Sequence, residues 1–277
     1  MLKAMVNLSS EYRRRLPTAQ ELPCSDETPV DNELQNDIPN ILLHLLIDIW
    51  GDRSDWFFGV DMAVYYDPDL ENPKKSKSVV PDGFLALGVK KRTDEGGRLS
   101  YAIWQEGAIP IFFLEVVSKK YNNEYETKLT QYAEIGVLYY VVYNPLSGKG
   151  IHKNRQSLEV YKLIEGKYEL QSSVARLPEG VEMVWMPEID LGIGCERADR
   201  GDWQREWVYW YDRHGKRYPT ARERALQEQQ ARIKAEMLAD RSILAKQEAE
   251  AIAEQERQKN EKLEAYLRSL GINPNEV

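Results

Sequence analysis

The sequence predicts an α/β fold: a mixed sheet flanked by helices, with a long C-terminal helix or weak coiled coil behind it. Three observations carry this expectation. Two apolar segments, 79–87 and 111–117, have strand composition; a helix-like segment, 125–135, and a further apolar strand, 137–143, follow them. The order strand, strand, helix, strand gives a mixed sheet whose last two strands are joined by a helical crossover. Residues 34–49 repeat apolar side chains at helical spacing, so a helix precedes the sheet. From Ala221 onward Ala, Glu, Gln, Arg and Lys dominate, and neither Gly nor Pro occurs before Gly271, the composition of a long solvated helix.

These shifts divide the chain into a flexible arm (1–15), a folded domain (16–220) and a helical tail (221–277). Residues 1–30 are polar, carry Pro17, Pro23 and Pro29, and read as extended chain with little structure of its own. Asp31 and Asn32 can cap the first helix, whose buried stripe is Leu34, Ile38, Ile41, Leu42, Leu45 and Ile49. Pro39 either starts that helix or kinks it, and Gly51 ends it. The aromatic and β-branched run from Trp56 to Tyr66 predicts one strand. A Pro- and Lys-rich loop (67–78) leads to the strand 79–87, a turn at Gly96-Gly97 and a strand at 100–104. The run from Ile111 to Val117 is interrupted only by Glu115 and predicts a central strand covered on both faces. Gly136 is placed to terminate the helix that follows. Beyond Asn144-Pro145 the pattern predicts a hairpin around Glu165-Gly166, short edge strands at 181–185 and 189–191, and an aromatic segment, 203–211, running into a turn. In the tail, Leu226, Ile233, Met237 and Leu244 fit a heptad seam, as do Leu263, Leu267 and Leu270. No large apolar residue lies between Ile252 and Leu263, so the seam is broken, with a coiled-coil partner expected through 221–277.

The chain has 277 residues, with 37 Lys plus Arg against 45 Asp plus Glu, a net charge of −8. The tail is nearly neutral, 10 against 11, so the acidic excess lies in residues 1–220. Such a balance argues against a protein that coats nucleic acid nonspecifically, while leaving room for a local basic groove. Cys24 and Cys195 form neither a zinc pattern nor a disulfide framework, which reads as a cytoplasmic protein. No apolar run is long enough to span a bilayer, so no membrane partner is expected.

Glu115 is the most informative residue. A carboxylate inside an apolar strand costs several kcal/mol unless it is paired or binds a metal; it either reaches solvent or a lysine at the strand end, or serves a site. Asp82, between Pro81 and Gly83, is either a turn aspartate or a second acid of that site. Two carboxylates on neighbouring strands can share a divalent cation through hard oxygen ligands. Lys128, on the helix after Glu115, can point back toward the strand ends and steady charge on a phosphate, or lie exposed. Lys74, Lys75, Lys77, Lys119 and Lys120 form short basic clusters near these residues, as do Lys90-Lys91-Arg92. They are either DNA phosphate contacts or solvated loop charges. His44, His152 and His214 are too scattered for a histidine-based site, and the sequence contains no Gly-rich phosphate loop and no nucleophile elbow.

Pro81-Asp82, then Glu115 in an apolar strand, then a lysine resembles the PD-(D/E)xK nuclease superfamily. The usual lysine position, two residues after the glutamate, is Val117 here. Glu115-Val116-Val117-Ser118, then 124–128, then Tyr132 to Val137 resembles the Uma-two branch, restriction-endonuclease-like proteins in which the lysine has moved to the following helix. The segments 31–35, 58–62 and 139–145 are similar to that family as well, and the resemblance covers about 16–220. It implies a restriction-endonuclease-like fold and Mg²⁺- or Mn²⁺-dependent hydrolysis of DNA phosphodiesters. It also implies Asp82, Glu115 and the carbonyl of Val116 as metal ligands, Lys128 as the catalytic lysine, and Glu33 and Ser118 as auxiliary groups. Cutting both strands needs two sites, so a homodimer is expected. Two competing expectations are a non-catalytic interaction protein that keeps this fold and recruits partners through its tail, and a nuclease acting on RNA or branched substrates.

Overall fold

The computed structural model describes residues 15–24, 32–91, 95–119, 123–172, 175–176, 182–201 and 203–271. It divides into two compact units, Met1–Tyr218 and Pro219–Val277. Most of the arm expected at 1–15 lies outside the described residues. Residues 15–24 are more ordered than their composition predicts. Leu16, Ala19 and Leu22 are buried, Trp104 Nε1 donates to the carbonyl of Pro17, and Tyr65 donates to that of Pro23. The two proline carbonyls each accept an aromatic side-chain donor, which ties the segment to the domain.

The first unit begins with helix α1 (Leu34–Ile49), which runs through Pro39 without a break. Strands β1 (Trp56–Val60), β2 (Val64–Asp67), β3 (Lys77–Val79), β4 (Gly83–Leu87) and β5 (Tyr101–Ala102) follow, then the single turn α2 (Ile103–Glu106). Next come β6 (Phe112–Val116), α3 (Thr127–Ile135), β7 (Tyr139–Tyr143), β8 (Leu158–Ile164), β9 (Lys167–Leu170), β10 (Ala175–Arg176), β11 (Glu182–Met186), β12 (Leu191–Arg200) and β13 (Trp203–Tyr211). The second unit is essentially one helix, α4 (Ala221–Ser269), opened by a capping box between Thr220 and Glu223.

Among the described residues the strands form three sheets. The largest has the order β1-β4-β6-β7-β8-β9 and is mixed: β6 and β7 are parallel, joined by α3, and their neighbours are antiparallel. This is the expected restriction-endonuclease-like α/β arrangement. One face of the sheet, with Phe112, Leu114 and Val116, packs against α1 and the four-stranded sheet β10-β11-β12-β13. The other, with Phe113 and Val117, packs against α3 and the three-stranded sheet β3-β2-β5. Alternation along β6 therefore sends Glu115 to the α3 side.

Several expected elements are subdivided. The run 56–66 is two strands, because Asp61 takes a left-handed φ of 46° and redirects the chain into another sheet. The run 79–87 breaks at Pro81, which has no amide proton for a ladder, leaving Val79 in β3 and starting β4 at Gly83. Residues 103–104 belong to α2 rather than to a strand. The short strand expected near 189–191 is instead the start of the ten-residue β12, paired with β13 from Gly192↔Tyr211 to Arg200↔Trp203. Its glycines serve close packing: a Cβ on Gly192 would lie 2.4 Å from Met183 Sδ, and one on Gly194 2.7 Å from the carbonyl of Glu182.

Candidate active site

Asp82 sits just before β4, where α1, β4 and β6 meet. Gly83 makes this close approach feasible: a Cβ there would lie 3.0 Å from Pro39 of α1 and 3.2 Å from Phe58. Asp82 is only 7% exposed. Its Oδ2 accepts the Val116 N–H at 2.6 Å and its Oδ1 accepts Gln35 Nε2 at 3.2 Å. Gln35 is aimed by its own oxygen, which accepts the N–H of Asn32 at the start of α1. Burial first, then the charge of Glu115, pushes the Asp82 carboxyl up to about 8, against the pull of the Val116 N–H and of Lys128.

Glu115 is 2% exposed. Its Oε2 pairs with Lys128 Nζ at 2.8 Å, and its Oε1 accepts the hydroxyl of Tyr132. Burial raises its pKa, while the Lys128 ammonium and the Tyr132 hydroxyl oppose that rise. For Lys128 burial acts downward, but Glu115, Asp82 and Glu124 outweigh it and hold the ammonium above the usual lysine value. Lys128 and Tyr132 are four residues apart, so one face of α3 presents both to Glu115. Val117, where the usual lysine would stand, is buried on the same sheet face as Glu115. Lys128 thus comes from the neighbouring helix to a position that strand geometry fills with valine.

The structure gathers Asp82, Glu115, Val116 and Lys128 at one end of β4 and β6. Glu33 is exposed at the start of α1; the residue of that helix bonded to Asp82 is Gln35. Ser118 is buried just beyond β6. Lys74 and Lys75 are exposed on a short 3-10 helix, Pro73–Lys75, and Lys119 is exposed past Ser118. Lys77 is engaged with Asp67 at 2.9 Å, and Lys120 lies outside the described residues. Gln35 and Tyr132 are the groups that sequence reasoning passed over. Tyr132 reads as core because it is core, packed edge-on to Phe113 and Tyr140; only its hydroxyl belongs to the site. Glu124 is buried and is a further carboxylate beside Lys128.

A mixed sheet with a helical crossover, and a buried acid pair facing a lysine, define a restriction-endonuclease-like protein. Residues 25–190 match the model of the Uma2 family, "Putative restriction endonuclease", and the chain belongs to that family. No curated protein and no solved structure matches it. No helix among the described residues is long and apolar enough to cross a membrane.

Proposed function

We propose that the chain is a metal-dependent endonuclease that hydrolyses DNA phosphodiesters, with Asp82, Glu115 and Lys128 as its catalytic residues. The observation that carries this reading is the pair of buried carboxylates with an ammonium 2.8 Å from one of them. A protein interior does not tolerate two carboxylates and one lysine without a further cation or a proton, and Asp82 holds its proton toward pH 8. A divalent cation can take the place of that proton.

The donors fit Mg²⁺ or Mn²⁺, which take hard oxygen ligands. Among the described residues no group of three or more His, Cys, Asp and Glu side chains gathers to hold a metal. The backbone can supply a third protein ligand. In a strand a residue's N–H and C=O leave on the same side. The Val116 N–H meets Asp82, so its carbonyl is on that side too. Asp82, Glu115 and the Val116 carbonyl would hold the ion, which when bound supplies Lewis acidity at the phosphate and a more acidic water. Lys128 holds Glu115 in place and retains N–H donors for a phosphate oxygen or a water. Tyr132 and Gln35 fix the orientation of the two carboxylates. Lys74, Lys75 and Lys119 are proposed phosphate contacts, together with Lys77 and Lys120.

Calorimetric titration with Mn²⁺ and a plasmid-nicking assay test the reading together. Wild type should bind Mn²⁺ and nick DNA, and Asp82→Asn and Glu115→Gln should lose both. Lys128→Ala should keep metal binding and lose cleavage by about 10²–10⁴-fold. A wild type that binds no metal, with or without DNA, removes the enzyme reading and leaves an interaction protein of the same fold.

A further inference from the structure

Helix α4 is 49 residues long and none of its residues is buried. No single heptad register runs through all of its apolar side chains, whereas an 11-residue period relates most of them. Leu226 to Met237, Ile233 to Leu244 and Ile252 to Leu263 are each eleven residues apart, and Tyr266 and Leu270 fall on the same registers. Eight of the eleven large apolar residues between 221 and 270 thus occupy three of the eleven positions, and those three form a single stripe. Over 44 residues the stripe is about 66 Å long. The gap that breaks the heptad seam, from Ile252 to Leu263, is one repeat of this longer period.

We propose that a second copy of this chain covers the stripe, running antiparallel, with Glu248 at the centre of the pair. Folding the stripe back on itself about Glu248 sets Leu226 against Leu270, Ile233 against Leu263 and Leu244 against Ile252. A parallel pair in register would face Arg241, Glu248 and Lys259 each with its own copy, three like-charge contacts in the seam against the single Glu248 contact of the antiparallel pair. The flanks are balanced in charge. One carries Lys234 and Glu256, the other Asp240 and Lys262, in equal numbers of each sign, which suits a second copy rather than a strongly acidic or basic partner. The exposed apolar side chains are each about half exposed or more. At roughly 100 Å² apiece, the pair buries about 1,600 Å², the size of a stable interface.

The test uses the full chain and sedimentation equilibrium. Wild type should show twice the 32.1 kDa chain mass. Leu244→Glu should weaken association at least tenfold, with circular dichroism confirming a folded protein. In the antiparallel pair Leu226 lies against Leu270 of the other copy; in a parallel pair in register it lies against itself. In a chain carrying Cys24→Ser, Leu226→Cys alone should therefore form no intermolecular disulfide on oxidation, and Leu226→Cys combined with Leu270→Cys should form one. A monomer at every concentration, a trimer, or a dimer indifferent to Leu244→Glu overturns the proposal. Cross-linking of Leu226→Cys alone, or no cross-linking when it is combined with Leu270→Cys, overturns the antiparallel arrangement. Nuclease activity does not enter these readouts.

Discussion

Asp82 sets the pH behaviour of the metal-free domain. Its carboxyl, held up to about 8 when folded, ionises near 4 when unfolded. The folded state thus keeps a proton that the unfolded state releases, and the associated stability is present below about pH 4 and lost as pH rises toward 8. The thermal midpoint without metal should fall between pH 5 and 8, and Asp82→Asn should flatten that fall. Mn²⁺ should restore the midpoint at the alkaline end; a midpoint that is flat with pH in wild type contradicts the assignment. Tyr132→Phe removes one donor to Glu115 with little change in volume. It should leave the fold intact and lower metal affinity about 10- to 100-fold, measured by the same titration. The acids were legible in the sequence because carboxylates are costly in apolar strands. Gln35 was not, since a polar residue in a helix's first turn carries no mark of the strand it will reach.

At the level of elements, the site depends on how closely α1 approaches β4. Gly83 permits that approach, so Gly83→Ala should cost about 1–3 kcal/mol in denaturant unfolding and weaken metal binding by shifting Gln35. An unchanged midpoint would show that Pro39 and Phe58 yield freely. Long apolar periods were readable: α1, β6, α3 and β7 stand where spacing places them. What misled were local exceptions. Asp61 splits one aromatic run between two sheets, and Pro81 interrupts another immediately before the site. Gly192 and Gly194 lie within β12, where one admits the Met183 side chain and the other the Glu182 carbonyl of the neighbouring strand. A one-dimensional pattern distinguishes a glycine that bends the chain from one that admits a neighbour only when the neighbour is known.

Across the whole molecule, the change of composition at Ala221 and the division between Tyr218 and Pro219 nearly coincide. A chain ending at Thr220 should keep the thermal transition of the first unit within a degree or two, an effect of well under ~1 kcal/mol. Collapse of that transition would mean that the helix contributes to the core. The acidic balance argues against nonspecific coating, but it says nothing of where cations gather. Folding supplies that: Lys128 is drawn inward to Glu115, while Lys74, Lys75 and Lys119 stay exposed.

The hydrogen bond from Trp210 Nε1 to the carbonyl of Leu42 joins residues 168 positions apart. It lies where α1 packs on β13, so the apolar stripe of an element made early is closed by one made late. At ribosomal speeds of about 5–20 residues per second, Ile38, Leu42, Leu45 and Leu46 wait roughly 10–30 s for that cover. Until residue 211 has emerged the helix has only β1 and β6 to pack on, and fragments ending before β13 are the ones expected to aggregate.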